Sequence, residues 1–160
     1  MIQQSVSDPI KLAFAASSEP KAQEAMAELQ EQYSAVSLAE ADVLVALGGD
    51  GFMLRTLHRM QGRNIPVYGM KRGTVGFLMN RYCKDGLYDS IHQAQRVALS
   101  PLRMTVATES GQTVSALAIN EVSLLRQTNQ AAHVRVLVNG VERVPELISD
   151  GILLATAAGS

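Results

Sequence analysis

The chain has 160 residues, a formal net charge of -1, 18% charged residues and 47% apolar residues, which fits one globular domain, or one domain and part of another, and excludes a disordered chain. Its balanced charge leaves no basic footprint for nucleic acid, and no uninterrupted apolar stretch is long enough to span a bilayer. Cys83 stands alone, which excludes a disulfide framework and a thiolate metal site. The N-terminus MIQQSVSDPIKLAFAASS lacks the basic start of a signal peptide, and Lys11 interrupts its short apolar segment. The expectation is a cytoplasmic protein without membrane contact.

Residues 1–9 read as a polar lead-in, and Ile10 to Ala16 as a first strand. Ser17 or Ser18 can cap the helix that follows, with Pro20 in its first turn, where a missing N–H costs little. Ala22, Ala25, Met26, Leu29 and Tyr33 recur at helical spacing. Ser34 to Asp42 is a connection with room for a short strand at Ala35–Leu38.

Val43 to Leu57, VLVALGGDGFMLRTL, is the stretch on which the rest is organised. Val43 to Leu47 is a continuous apolar run, as expected of a parallel strand covered on both faces. Gly48, Gly49 and Gly51 remove three Cβ atoms around Asp50, so the turn can take positive φ and let a ligand approach the backbone. Phe52, Met53, Leu54, Leu57 and Met60 suit an amphipathic helix. Its first N–H groups favour an anion such as phosphate. An acid beside phosphate is costly unless it handles a proton or a metal ion. The bland alternative is that Asp50 only caps the helix.

Ile65 to Tyr68 reads as a short strand, and Gly69 to Gly76 as a loop at the carboxyl edge of the sheet, where open α/β folds bind ligands. Lys71 and Arg72 in it are either a solvated basic pair or phosphate contacts. Phe77, Leu78 and Met79 are expected to return to the core, and Asp85 to Ala98 to form a helix with Leu87, Ile91, Ala94 and Val97 or Ala98 inward. Arg55, one turn after Asp50, either pairs with Asp50, reaches an anion or is solvated. His58, His92 and His133 have no metal-ligand spacing.

Near Ser100-Pro101 the helical period stops, which divides the chain into residues 1–99 and 100–160. Strands are expected at Leu102–Thr108, over the long run Thr113–Leu125, at His133–Val138 and Val141–Val144 around an Asn139-Gly140 hairpin turn, and at Ile152–Thr156. A region of about sixty residues buries core poorly. With its last strand running straight to Ser160, the sequence reads as an N-terminal fragment or as dependent on a partner. Asn120 and Glu121 interrupt an apolar strand, so the strand ends there at a surface or cleft, or Glu121 meets a cation or a polar ligand. Asp150-Gly151 reads as a turn.

Taken together, Gly48-Gly49-Asp50-Gly51, Gly73-Thr74-Val75-Gly76-Phe77-Leu78, Asn120-Glu121, and Asp150-Gly151 leading into Ala155-Thr156-Ala157-Ala158-Gly159-Ser160 resemble the NAD kinase family in order and separation. The resemblance covers the chain from about Lys11 onward. Ala-Ala in the last motif departs from the more usual Pro-Thr and is similar to a bacterial subgroup. The resemblance implies a Rossmann-like α/β domain with a mostly parallel sheet, then the start of a β-rich, sandwich-like domain, with the active site between them. It implies transfer of the γ-phosphoryl group of ATP, with a divalent ion such as Mg²⁺, to the adenosine-ribose 2′-hydroxyl of NAD. Asp50 would take the proton or hold the metal. Gly51, Asn120, Glu121, Asp150 and Ala158 would join Asp50 in binding NAD, and Gly48, Gly49 and Arg55 would serve the phosphates. The donor stays open between ATP and inorganic polyphosphate, and the family is often homo-oligomeric. A diacylglycerol- or sphingosine-type lipid kinase is disfavoured, because Phe52 follows GGDG and Asn-Glu comes late. A non-catalytic nucleotide-binding module is the other alternative.

Overall fold

The computed structural model describes residues 10–159; the polar lead-in at residues 1–9 and Ser160 lie outside them. The chain divides into two compact units, the first ending at Val97 and the second starting at Ala98. Among the described residues no helix is long and apolar enough to cross a membrane.

The first unit is built on a parallel sheet of four strands in the order β1-β2-β3-β4. They are β1 (Leu12–Ala16), β2 (Val43–Leu47), β3 (Val67–Lys71) and the two-residue β4 (Asn80–Arg81). Three helices accompany them: α1 (Pro20–Gln32), α2 (Asp50–Arg59) and α3 (Leu87–Gln93). All five residues of β2 are buried, because both faces of the sheet are covered. Val43, Val45 and Leu47 pack with Ala22, Ala25 and Leu29 of α1 and with Leu87 of α3. Their neighbours point the other way, as strand alternation requires. Leu44 packs with Met60, and Ala46 with Met53 of α2.

After α1 the chain forms a single parallel bridge, Ala35 to Leu12, on β1. The expected strand at Ala35–Leu38 is reduced to that bridge. Because β1 pairs with β2 as well, one crossover leads to one side of β1 and α2 leads from β2 to β3 on the other. The order therefore reverses between β1 and β2, and ligands of open α/β sheets bind at the carboxyl side of such a reversal.

Several expected boundaries shift. The cap of α1 is Glu19, with no side-chain bond, and Pro20 opens the helix. Ser17 instead accepts from the Glu19 N–H at 3.4 Å and its carbonyl accepts from Gln23 at 2.7 Å. β3 begins at Val67 and runs through Gly69 to Lys71, so part of the expected loop is strand. Met79 and Met53 crowd the site where a Gly69 Cβ would sit, which is why glycine can occupy this buried strand position. Phe77 does not return to the core: it is 82% exposed, while Met79 is buried. α3 is a short helix ending at Gln93, and Val97 is 70% exposed rather than inward.

The second unit consists of antiparallel pairs, the β-rich arrangement with which a sandwich-like domain begins. β5 (Leu102–Ala107) pairs with β6 (Thr113–Ala118), β7 (Glu121–Leu125) pairs with β10 (Gly151–Ala155), and β8 (Ala132–Val138) pairs with β9 (Val141–Ser149). Asn139 and Gly140, at φ 53 and 78, make the hairpin turn between β8 and β9. β9 runs past Pro145 to Ser149, with register shifts that accommodate the proline. The single long strand expected over Thr113–Leu125 is broken at Ile119-Asn120. Among the described residues every buried side chain belongs to the first unit.

Candidate functional site

The glycine turn follows β2 at the carboxyl edge of the sheet. Gly49 caps α2 in an extended conformation (φ -100), and Asp50 is its first residue. A carboxylate in the first turn is favoured by the helix dipole. The expected positive φ is not used here: among the described residues, positive-φ glycines include Gly73 but none of Gly48, Gly49 and Gly51. At Gly48 the absence of a side chain avoids Phe52, whose ring and Cβ would lie 3.0 Å from an added Cβ.

Asp50 is not a helix-capping group. Its carboxylate turns toward the Gly73–Leu78 segment and accepts two backbone bonds, Oδ2 from the Phe77 N–H at 2.9 Å and Oδ1 from the Leu78 N–H at 3.1 Å. Gly76 is where this approach is closest. A Cβ there would sit 2.6 Å from both the carboxyl carbon and Oδ1 of Asp50, against 3.4 Å or more for ordinary contact. The two glycine-rich motifs thus form one device, an acid from one and a seat for it from the other. Each oxygen accepts a single bond and keeps a lone pair for a proton or a cation.

The basic residues separate in role. Arg72 pairs with Glu28 and lies 3.6 Å from Glu24, with its guanidinium 4.5 Å over the ring of Tyr82. Tyr82 donates to Glu28 at 2.7 Å. That hydroxyl, and then Arg72, hold the Glu28 carboxyl below its ordinary range, while burial first and Glu28 second push Tyr82 up to about 12. Arg72 is therefore a tie between α1 and the segment after β3, not a solvated residue. Arg55 is exposed and forms no ion pair with Asp50; the Gly51 site lies 3.7 Å from its guanidinium. Lys71, half-buried at the end of β3, brings its ammonium to 3.5 Å from where a Gly49 Cβ would stand.

In the second unit the structure gathers some of the expected residues and parts others. Glu121 pairs with Ala155 at one end of the β7–β10 ladder. There the Thr156 N–H donates to the Asn120 carbonyl at 2.8 Å, the Thr156 hydroxyl to the Ile119 carbonyl at 2.5 Å, and the Ala158 N–H to the Thr156 hydroxyl at 3.1 Å. Gly159 closes on the Asn120 carbonyl so tightly that a Cβ would stand 2.9 Å from the carbonyl carbon. Asn120, Glu121 and Ala158 are thus neighbours. Asn120 Oδ1 is buried and has no hydrogen-bond partner among the described residues, an arrangement that costs about 1–3 kcal/mol unless a ligand donor or water meets it.

Asp150 is at the other end of that ladder, five residues from Ala155, or about 17 Å along an extended strand. It is 76% exposed and pairs with Arg126 at 2.6 Å. Asp150 and Ala158 thus flank opposite ends of β10. The ion pair of Arg126 and the bonds of the Thr156 hydroxyl are not legible in the sequence pattern itself. The one signal for Thr156 is that a hydroxyl just after a strand and before Ala-Ala-Gly commonly bonds the local backbone. Among the described residues no cluster of three or more His, Cys, Asp or Glu is placed to hold a metal ion.

The ATP-NAD kinase N-terminal domain model matches residues 3–94. NAD kinase of Cereibacter sphaeroides is 53% identical over 152 residues, covering 95% of this chain and 60% of that protein. NAD kinase of Xylella fastidiosa is 55% identical over 150 residues, covering 94% of this chain and 58% of that protein. The chain therefore spans about 60% of the length of these curated relatives. The crystal structure of yeast NADH kinase complexed with NADH is similar in fold, with a TM-score of 0.74 at 19% identity over 95% of this chain and 59% of that one. By its matched domain and by relatives of this similarity, the chain belongs to the NAD kinase family.

Proposed function

We propose that the protein carrying this chain phosphorylates the adenosine-ribose 2′-hydroxyl of NAD to give NADP, with ATP or inorganic polyphosphate as donor. The observation that carries this reading is the seating of Asp50. A sugar alcohol is too weak an acid to ionise freely, so a positioned base takes its proton as the phosphoryl group moves. Phosphoryl transfer otherwise needs placement and charge stabilisation. A carboxylate fixed by two backbone N–H groups, each oxygen still able to accept a proton, suits that task.

The relatives of similar sequence are named NAD kinase, and the yeast protein of similar fold was crystallised with NADH. Asn120, Glu121 and Ala158 are assigned to the nucleoside part of NAD. The unpartnered Asn120 Oδ1 supports this, since it can accept from a base amine. Gly48, Gly49 and Gly51 are assigned to close approach by the phosphates. A Mg²⁺ ion that arrives with those phosphates would meet Asp50, the acid of the glycine turn, and would supply charge neutralisation on the transferring group. Asp150 is assigned to NAD on the family pattern alone.

The test is to incubate a protein extending past Ser160 to the relatives' length with NAD, ATP and Mg²⁺, and to read NADP with an NADP-dependent dehydrogenase. NADP is expected from it, and little or none from residues 1–160. Asp50→Asn should remove most turnover while NAD still binds. Full turnover in that variant takes the base role away from Asp50. An enzyme that ignores NAD but phosphorylates diacylglycerol would instead establish the lipid-kinase alternative.

A further inference from the structure

The first unit has a small depression at the carboxyl edge of its sheet, walled by Lys21 and Ala22 of α1, by Leu47 and Gly48 at the end of β2, and by Met70 and Lys71 at the end of β3, with Glu19, the residue capping α1, as its one carboxylate. It lies beside the reversal of strand order, where the sheet leaves space between its crossovers. Two ammonium groups border it, and they differ from their basic neighbour. Arg72 is neutralised by Glu24 and Glu28. Among the described residues neither Lys71 nor Lys21 has an ion-pair partner. Lys71 is half-buried, so its charge is carried without a counter-ion in a partly desolvated place, over Gly49 and one residue from the seated acid. A partly desolvated, uncompensated ammonium attracts an anion more strongly than a solvated one.

We infer that Lys71 is a further catalytic residue. It contacts the polyphosphate chain of the phosphoryl donor, which would lie across the mouth of the depression between α1 and the glycine turn. This rests on the kinase reading. In the transfer, the bond from the ribose 2′-oxygen to the terminal phosphorus forms as the bond from that phosphorus to its bridging oxygen breaks. The hydroxyl proton passes to Asp50, and the shortened donor leaves with the bonding electron pair. Lys71 offsets the negative charge that gathers on the bridging oxygen. It also balances the repulsion between Asp50 and the incoming phosphates. Both possible donors, a nucleoside triphosphate and inorganic polyphosphate, share the chain that Lys71 would touch.

The test uses Lys71→Met and Lys71→Arg in the protein of full relative length, with initial rates against ATP and, separately, against inorganic tripolyphosphate. Lys71→Met should lower kcat/KM for the donor roughly 10- to 100-fold, with KM for NAD and the thermal midpoint nearly unchanged. Lys71→Arg should recover most of the loss. The donor that supports wild-type turnover identifies the source of the chain. If both do, Lys71→Met must weaken both. Where both donors support turnover, a loss confined to one of them would overturn the assignment; unchanged donor kinetics in Lys71→Met, or a loss in KM for NAD alone, would overturn it in every case. Should the wild type make no NADP, calorimetry with inorganic tripolyphosphate still decides: binding that disappears in Lys71→Met upholds the site while the kinase reading fails, and binding that persists unchanged overturns the site.

Discussion

Replacing Gly76 with alanine is the sharpest probe of how the acid is held. The added Cβ would stand 2.6 Å from both the carboxyl carbon and Oδ1 of Asp50, where ordinary contact begins at 3.4 Å. Something must yield by on the order of 1 Å. The exposed Gly73–Phe77 stretch is the softer partner, and as it backs away the Phe77 and Leu78 N–H groups leave the carboxylate. A hydrogen bond to a charged group is worth about 1.5–3 kcal/mol, and half-exposure of Asp50 puts this pair at the low end. The thermal midpoint should fall by several degrees, on the scale of about 4–8 °C per kcal/mol for a small domain and less for a larger one. Catalysis should suffer more, because a base displaced by about 1 Å costs on the order of 100-fold, or about 2.7 kcal/mol of barrier. The assay is NADP formation against NAD concentration, beside calorimetric NAD binding and a melting curve. Turnover should fall about 100-fold with affinity for NAD nearly intact. A Gly76→Ala enzyme with wild-type turnover would show that the seat of Asp50 does not matter, and with it the argument for a fixed base would go.

Three further outcomes follow from the same geometry. Glu28 is held below its ordinary 4.5 by Tyr82 and Arg72, so its contribution is present above that value and fades as pH falls through the lower folded-state value; the stability gap between wild type and Glu28→Gln should narrow on acidification below about 4.5, and a gap independent of pH would contradict the network. Gly159→Ala should weaken NAD binding at least 10-fold, because the Cβ collides with the Asn120 carbonyl and pushes the Thr156 loop off its bonds; unchanged binding in calorimetry would remove that loop from the site. Arg126→Ala should cost no more than about 1 kcal/mol in denaturant unfolding, since its partner Asp150 is a surface carboxylate; a larger loss would mean that the pair is buried in the assembled protein.

The centre of the first unit could be read from residues alone. A run such as Val43–Leu47 has one comfortable place, in the middle of a covered parallel sheet, and glycines around a single acid have few uses. What could not be read depended on partners far away in sequence. Asp50 reads as an acid that handles a proton or a metal ion, or as a helix cap, because nothing local announces that Phe77 and Leu78 will hold it. Arg72 reads as solvated or as a phosphate contact, because Glu28 and Tyr82 reach it only after α1 packs on the sheet. The break at Ile119-Asn120 was hidden for the opposite reason: each half has good strand residues, and only the return of Thr156 to the Asn120 carbonyl ends the first half. Motif order places Asp150 beside Ala158, and the extended strand Gly151–Ala155 sets the distance between them.

Both donors to Asp50 are hydrogens of the main chain. Every amino acid except proline brings one, so the chemical identity of residues 77 and 78 is not committed to seating the acid. A combinatorial library varied at position 77 can therefore sample new ring sizes and polarities beside the acid without unseating it, whereas Leu78 also packs against Met53 and Met79, and a library opened at position 76 would mostly return inactive clones. Selecting altered nucleotide preference by directed evolution should begin on the exposed side chain of Phe77 and leave its neighbouring glycine alone.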